Sequence, residues 1–326
     1  MSSDSPKLPP GYRKTALQVI EEEKADLSGK VVFFTGGTAG LGVEAVRALA
    51  AAGPKEVVVT ARTVSKAEKL VEQEWSKQKG AEKTKFTVIE CDLSSLASVE
   101  SAAKTFIEQH DSLDILLLNA GVMAVREREL TKDGFETQFA VNVLANHVLI
   151  TLLYPLLEKS SSSRIVIVSS CAHLKTDVYW DDIQCEKNYT PFGAYASSKS
   201  GACLLALGWS MKGKSPTSNS LHPGGIATSL QRHMTDEEKI ERGWMDKQGN
   251  YNPLFKTVPQ GAATEVWAAV ASELDNVTGA YFEDCALSSP SKAWPMGYAE
   301  WITNKENATK FLTILDDYYK QYQSKN

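Results

Sequence analysis

Along most of this chain, short apolar runs alternate with longer stretches of helical period. KVVFFT (30–35), EVVVT (56–60), KFTVIE (85–90), LDILLLN (113–119), RIVIVSS (164–170) and SNSLHP (218–223) read as strands. Between them, residues 43–53, 65–79, 95–109, 134–158 and 193–212 carry apolar positions at helical spacing. Strands that are mostly apolar on both faces and alternate with helices predict an α/β fold. The expected architecture is a doubly wound parallel sheet of the Rossmann type, with helices on both sides. One such domain is expected over 30–285. An arm precedes it (1–29, with a short helix over 13–25), and a helical tail follows it (286–326). Residues 226–256 break the alternation. They set Met234, Trp244, Met245, Tyr251 and Phe255 among charges, and read as a small helical lid inserted into the domain.

Composition narrows the function classes. With 326 residues and 43% hydrophobic content, the chain is not a disordered one. A formal net charge of −5 argues against nucleic acid as a partner. The five cysteines, Cys91, Cys171, Cys185, Cys203 and Cys285, are odd in number and widely spaced, without a C-x-x-C pair. Neither a disulfide framework nor a zinc site is expected, and no group of His, Cys, Asp and Glu has metal-ligand spacing. The first 29 residues lack the apolar run of a signal peptide, and no uninterrupted apolar stretch reaches the ~18 residues of a membrane span. A cytoplasmic protein without a membrane anchor is the expectation. The sequons at Asn188, Asn276 and Asn307 then read as chance matches. Gly-x-Ser-x-Gly is absent, which argues against a serine hydrolase.

The loop after the first run reads TGGTAGLG, Thr35 to Gly42. Placed between a strand and a helix, it offers backbone N–H groups and a helix N-terminus to a pyrophosphate. A Gly-rich turn alone is a weak signal; the βα units that follow make it a nucleotide site. The second run ends without the acidic residue that would bind ribose hydroxyls. Arg62 stands there instead, with Lys66 nearby, and a guanidinium fork matches a 2′-phosphate. The expected cofactor is therefore NADP(H).

Thr35-Gly36-x-x-x-Gly40-x-Gly42, Asp92-Leu93, Asn119-Ala120-Gly121, Asn142, Ser170, Tyr195-x-x-x-Lys199 and Pro223-Gly224 occur in that order. Together they resemble the short-chain dehydrogenase/reductase family over roughly residues 29–285. The glycine spacing is similar to that of the classical subfamily. The insert HLKTDVYWDDIQCEKNYTPFGAY, the run LHPGGIATSL and the late YFEDCAL resemble its retinol-dehydrogenase-like and WW-domain-oxidoreductase-like branch, including fungal members that act on polyketide-like, specialised metabolites. The resemblance implies cofactor contacts at Gly36, Thr38, Gly40, Leu41 and Gly42. It implies Asp92 and Leu93 at the adenine, Asn119, Ala120 and Gly121 along the cofactor, and Pro223, Gly224, Ile226 and Thr228 at the carboxamide. It also implies a proton relay of Ser170, Tyr195, Lys199 and Asn142, with Asn142 holding a water beside the lysine.

The chemistry asks for such a set. A phenol of ordinary pKa ~10 is a poor base near neutrality, and a nearby ammonium lowers that pKa. Tyr195 and Lys199, at i and i+4 on an expected helix, share a face. Alone, that spacing is more often a surface pair; the motifs around it change the balance. Ser170 can donate to the substrate oxygen. The partner expected is a hydrophobic, ring-containing ketone or alcohol, because aromatic residues crowd 171–194 and 226–256: Tyr179, Trp180, Tyr189, Phe192, Trp244, Tyr251 and Phe255, with Met245 beside them. His173, Trp180, Phe192 and Trp244 are the substrate candidates, although a loop histidine is more often structural. The lid is expected to be mobile until substrate fills the cleft. A homo-dimer or homo-tetramer is the expected assembly. A cofactor-binding protein with a non-redox or regulatory task is the competing reading, against which the intact Ser170, Tyr195 and Lys199 argue.

Overall fold

The computed structural model describes residues 8–291 and 296–325. Residues 1–7 of the expected arm, and 292–295 and 326 of the expected tail, lie outside the described residues. The chain runs α1 (Ala16–Glu22), β1 (Val31–Thr35), α2 (Leu41–Ala51), β2 (Glu56–Ala61), α3 (Val64–Gln73), β3 (Lys85–Glu90), α4 (Leu96–Gln109) and β4 (Ile115–Leu118). It continues through α5 (Thr137–Phe139), a π-helical turn (Ala140–Leu144), α6 (Ala145–Leu157), β5 (Arg164–Val168), α7 (Pro191–Ser210) and β6 (Thr217–His222). Then come α8 (Asp236–Glu241), α9 (Val258–Gly261), α10 (Ala263–Val270), β7 (Tyr281–Glu283), β8 (Ala286–Leu287) and α11 (Lys305–Gln323). The sheet order is β3-β2-β1-β4-β5-β6-β7-β8, parallel throughout except for β8.

Strand alternation builds a core on each side of this sheet. In β1, Val31 and Phe33 enter one core while Val32 and Phe34 enter the other. In β4, Leu116 and Leu118 join the first, and Ile115 and Leu117 the second. Helices α4, α6, α7 and α11 contribute to the first layer, and α1, α2 and α10 to the second. The six expected strands are present with slightly different ends. The short β7 and β8 were not expected, since two or three residues show no period.

Two helices depart from the sequence expectation. The stretch 65–79 stops at Gln73, and a 3₁₀ turn over Trp75–Lys77 follows. The turn buries Trp75, whose Nε1 donates to the Val43 carbonyl at 3.0 Å. The stretch 134–158 is interrupted by the π turn, which widens the helix at Asn142. Its run Thr137–Leu157 is long and apolar enough to cross a membrane, but most of it is buried inside this domain.

The first and last helices are packed parts of the fold. Ala16, Val19 and Ile20 of α1 are buried in the second core. In α11, Ala308, Phe311, Leu312, Leu315, Tyr319 and Tyr322 form an i, i+3, i+4 stripe in the first core. Phe311 and Leu312 lie over Gly201 and Gly208 of α7, where side chains would collide with them. This packing explains why α7 shows no amphipathic pattern. Truncating Phe311, 1% exposed, leaves a cavity beneath α7. Phe311→Ala is expected to lower stability by about 3–5 kcal/mol, read as a shift of the urea midpoint; an unshifted midpoint would show that α11 is an appendage.

Candidate active site

The chain winds outward from β1 to β3 and then returns to β4 on the other side of β1. A crevice opens at such a switch, beyond the carboxyl ends of β1 and β4. Its wall is the Gly-rich turn into α2, whose N-cap Gly40 supplies no side-chain cap. The first-turn N–H groups thus have no capping side chain and suit an anion. A Cβ on Gly42 would stand 2.1 Å from the Gly36 carbonyl oxygen, so this turn closes only around glycine. Asn119 Nδ2 donates to the Thr35 and Gly36 carbonyls at 3.2 and 3.1 Å, and the Ala120 N–H donates to Thr35 Oγ1 at 3.2 Å. The end of β4 is thereby tied to the turn. This uncapped, glycine-lined N-terminus fits the pyrophosphate of a dinucleotide.

The remaining cofactor candidates lie at the same edge. Arg62 and Lys66, beyond β2, are exposed and have no ion-pair partner among the described residues. Asp92 follows β3 and accepts from Ser94 N and Oγ at 3.0 and 2.8 Å. Leu93 is buried in the core, so a ligand contact there falls to its backbone. Gly36, Thr38, Gly40 and Gly42 belong to the turn after β1, and Ala120 follows β4 beside it. Leu41, Asn119, Gly121, Pro223, Gly224, Ile226 and Thr228 line a cleft of about 470 Å³ that continues from it.

Ser170, Tyr195 and Lys199 meet in that cleft. Thr190 caps α7 by accepting from Gly193 N at 3.2 Å, and Pro191 starts the helix, which points Tyr195 and Lys199 at the end of β5. Lys199 Nζ donates to the Val168 carbonyl at 2.9 Å and lies 5.7 Å from the centre of the Tyr195 ring. Of the two serines after β5, Ser169 is committed: its hydroxyl donates to the Lys199 carbonyl at 2.8 Å and accepts from Cys203 Sγ. Ser170 Oγ accepts from Ala172 N at 3.1 Å and lines the cleft with the phenol.

Burial decides the charges. It raises the Tyr195 phenol above its ordinary value, with the Ser170 contact a smaller opposing effect. It pushes Lys199 down to about 8. Desolvation thus works against the charged form of both groups, and Lys199 is charged below about pH 8.

Asn142 stands one layer behind. Its Oδ1 accepts from Val122 N at 2.9 Å, and its Nδ2 donates to the Val122 carbonyl at 3.0 Å and to Ser198 Oγ at 2.9 Å. Its carbonyl accepts from Asn146 Nδ2 at 2.9 Å. The amide side chain thus anchors the 121–123 loop. Gly121 leaves room between Asn142 and Lys199; a Cβ there would come within 3.1 Å of Asn142 Oδ1 and 3.5 Å of Lys199 Nζ.

Phe192 and Trp244 line the cleft, joined by Met123, Leu230 and Phe255. Two substrate candidates are corrected. His173 is fully buried: Nδ1 donates to the Ser170 carbonyl at 2.7 Å, and Nε2 accepts from Ala299 N at 3.3 Å. Burial lowers its pKa to about 4, so it is a neutral strut behind Ser170. Trp180 donates from Nε1 to Asp177 at 3.0 Å and packs edge-on against Phe311, away from the cleft. Tyr179 and Tyr189 are also spent elsewhere: Tyr189 donates to the Val125 carbonyl at 2.6 Å, and Tyr179 faces Gly193. Sequence reasoning missed Asn146, Met123 and Tyr12, none of which carries a local signal.

The expected lid closes on itself at an Ile226–Lys256 bridge. Inside it, Thr235 forms a capping box for α8, Met245 pairs with Tyr251, and Tyr251 donates to Gln231 at 3.2 Å. It has more internal scaffold than its polar composition suggested. Among the described residues, all five cysteines are free and no group of three or more metal-ligating residues occurs.

The short chain dehydrogenase family profile matches residues 30–239. A Streptomyces lividans protein named "Probable oxidoreductase" is 44% identical, over 79% of this chain and 86% of its own length. Retinol dehydrogenase 12 of Mus musculus is 33% identical, over 94% and 91%. Among solved structures, a blue fluorescent protein from a metagenomic library, in complex with NADPH, superposes with a TM-score of 0.60 at 26% identity, over 79% of this chain and 96% of that one. A profile across most of the sheet, relatives aligned nearly end to end and a matching fold make this chain an oxidoreductase of the short-chain dehydrogenase/reductase family.

Proposed function

We propose that the protein is an NADP(H)-dependent reductase that interconverts a carbonyl and an alcohol on a hydrophobic, ring-containing small molecule. The reading rests on one observation above all: a buried Tyr195 beside Lys199 and Ser170, in a largely apolar cleft that runs on from the glycine turn. A reduced nicotinamide held by the glycine turn and the 223–228 loop would supply a hydride to the carbonyl carbon. Tyr195 gives its proton to the carbonyl oxygen, so that C=O becomes CH–OH. The Ser170 hydroxyl donates to the same oxygen as its charge grows. Lys199 sits beside the phenolate that remains and stabilises it. Asn142, through Val122 and Ser198, keeps the wall around Lys199 in place.

NADP(H) is favoured by Arg62 and Lys66, exposed at the end of β2 with no carboxylate between them. The NADPH complex of the metagenomic relative agrees with this choice. Phe192, Trp244 and Phe255 favour flat, apolar rings over sugars or small hydroxy acids. Five free cysteines suit a reducing compartment such as the cytoplasm.

Three measurements test this reading. Tyr195→Phe keeps the ring and removes the proton; NADPH oxidation against a panel of aromatic aldehydes, quinones and cyclic ketones should fall by ~10²-fold or more while NADPH still binds. Near-normal turnover would remove Tyr195 as the proton donor, and a wild type that oxidises no NADPH against the panel would favour the non-redox reading. Arg62→Ala should weaken NADPH and leave NADH almost unchanged; equal affinities of the wild type for the two cofactors would remove the NADP assignment. Lys199, pushed down to about 8, is charged below that pH and neutral above it. Reduction should therefore be fastest below about pH 8 and decline above it. A profile flat from about pH 7 to about pH 10 would show that the ammonium plays no part.

A further inference from the structure

The segment before β1 has no part in the reaction described above, yet it reaches the cleft. Tyr12 is buried and lines the cavity with Leu254 and Phe255. Its hydroxyl donates to the Leu254 carbonyl. Next to it, Arg13 spreads its guanidinium over the same stretch of backbone, donating to the Pro253 carbonyl at 2.5 Å and to the Phe255 carbonyl at 2.9 Å. Three consecutive lid carbonyls are thus held by two consecutive arm residues.

The contact is backed by a buried ion pair. Lys256 Nζ reaches Asp284 at 2.5 Å and stands 4.7 Å from the centre of the Tyr12 ring. The Lys256 N–H donates to the Gly225 carbonyl at 2.8 Å, closing the base of the lid. A buried pair holds when its geometry is well met, and a ring face over the ammonium adds to that. Gly11 presses against the Asp284 carbonyl so closely that no side chain fits. Arm, lid and the β7–β8 turn therefore meet at Tyr12.

We propose that Tyr12 and Arg13 complete the substrate pocket: Tyr12 is a specificity-determining part of its wall, and the two residues together latch the lid's returning limb, 253–255, onto the domain. The proposal rests on reading the cleft as the substrate site, but its readouts need no hydride transfer. The size of ring that fits is set in part by a residue far outside the catalytic motifs, and 253–255 is the stretch of the lid that the arm holds.

Hydrogen exchange on the full chain tests the latch. In Arg13→Ala, which removes an exposed side chain, the amides of 254–256 should exchange about tenfold faster while those of β1 and β4 keep their protection. Tyr12→Phe, which loses only the hydroxyl, should show a smaller rise at the same amides. Unchanged exchange at 254–256 in both variants overturns the latch. The wall is tested with anilinonaphthalene sulfonate as an apolar probe: Tyr12→Ala should change its affinity for the cleft about threefold or more, and Tyr12→Phe should not. Equal affinity in all three proteins overturns the wall. If the wild type oxidised no NADPH against the carbonyl panel while these shifts appear, the redox reading alone would fall.

Discussion

The site is built around one hydrogen bond, from the Lys199 ammonium to the carbonyl of Val168 at the end of β5. An ammonium is costly to bury, and its charged form survives only where acceptors are fixed in place. That condition reaches outward. α7 must be held rigidly against β5 and β6, which is why nearly every residue from Ala194 to Ser210 is buried. α11 closes the far side of α7 through Phe311 and Leu312. Ser169 holds the Lys199 carbonyl, and Asn142 holds Ser198, so the helix is pinned on both sides of the lysine.

The parallel sheet does the rest. Every strand from β1 to β6 ends at the same edge, so loops far apart in sequence are delivered to one crevice. The Gly-rich turn, Asn119, Ser170 and Pro223 come from four different strand ends, and none could be brought together by local folding. The π turn in the helix after β4 is a local exception: it carries Asn142, whose carbonyl accepts from Asn146 Nδ2 and whose side chain holds the 121–123 loop.

Much of this was legible in the residues. Phe33 and Phe34 announce a strand buried on both faces, and Gly36, Gly40 and Gly42 announce the turn; both signals are local. The meeting of Tyr195 with Lys199 followed from helical spacing read together with the motifs around it. What could not be read depends on contacts made across the fold. Trp180 looked like a pocket aromatic because its neighbours are polar, but its indole serves α11, which lies more than a hundred residues later. His173 lay beside Ser170 in sequence and does support it, from behind. Its second partner, Ala299 N, belongs to a segment whose course no period reveals. Tyr12 was hidden for the same reason: an arm residue has no pattern that tells where it docks.

Charge and burial act on the same two side chains. Burial raises the Tyr195 phenol and pushes Lys199 down to about 8, so desolvation works against the charged form of each. The Lys199 ammonium, fixed on the Val168 carbonyl 5.7 Å from the centre of the Tyr195 ring, is where a charge developing on the phenol meets its counterpart. His173 and His222, depressed by burial to about 4 and about 3, are neutral and add no second positive charge there.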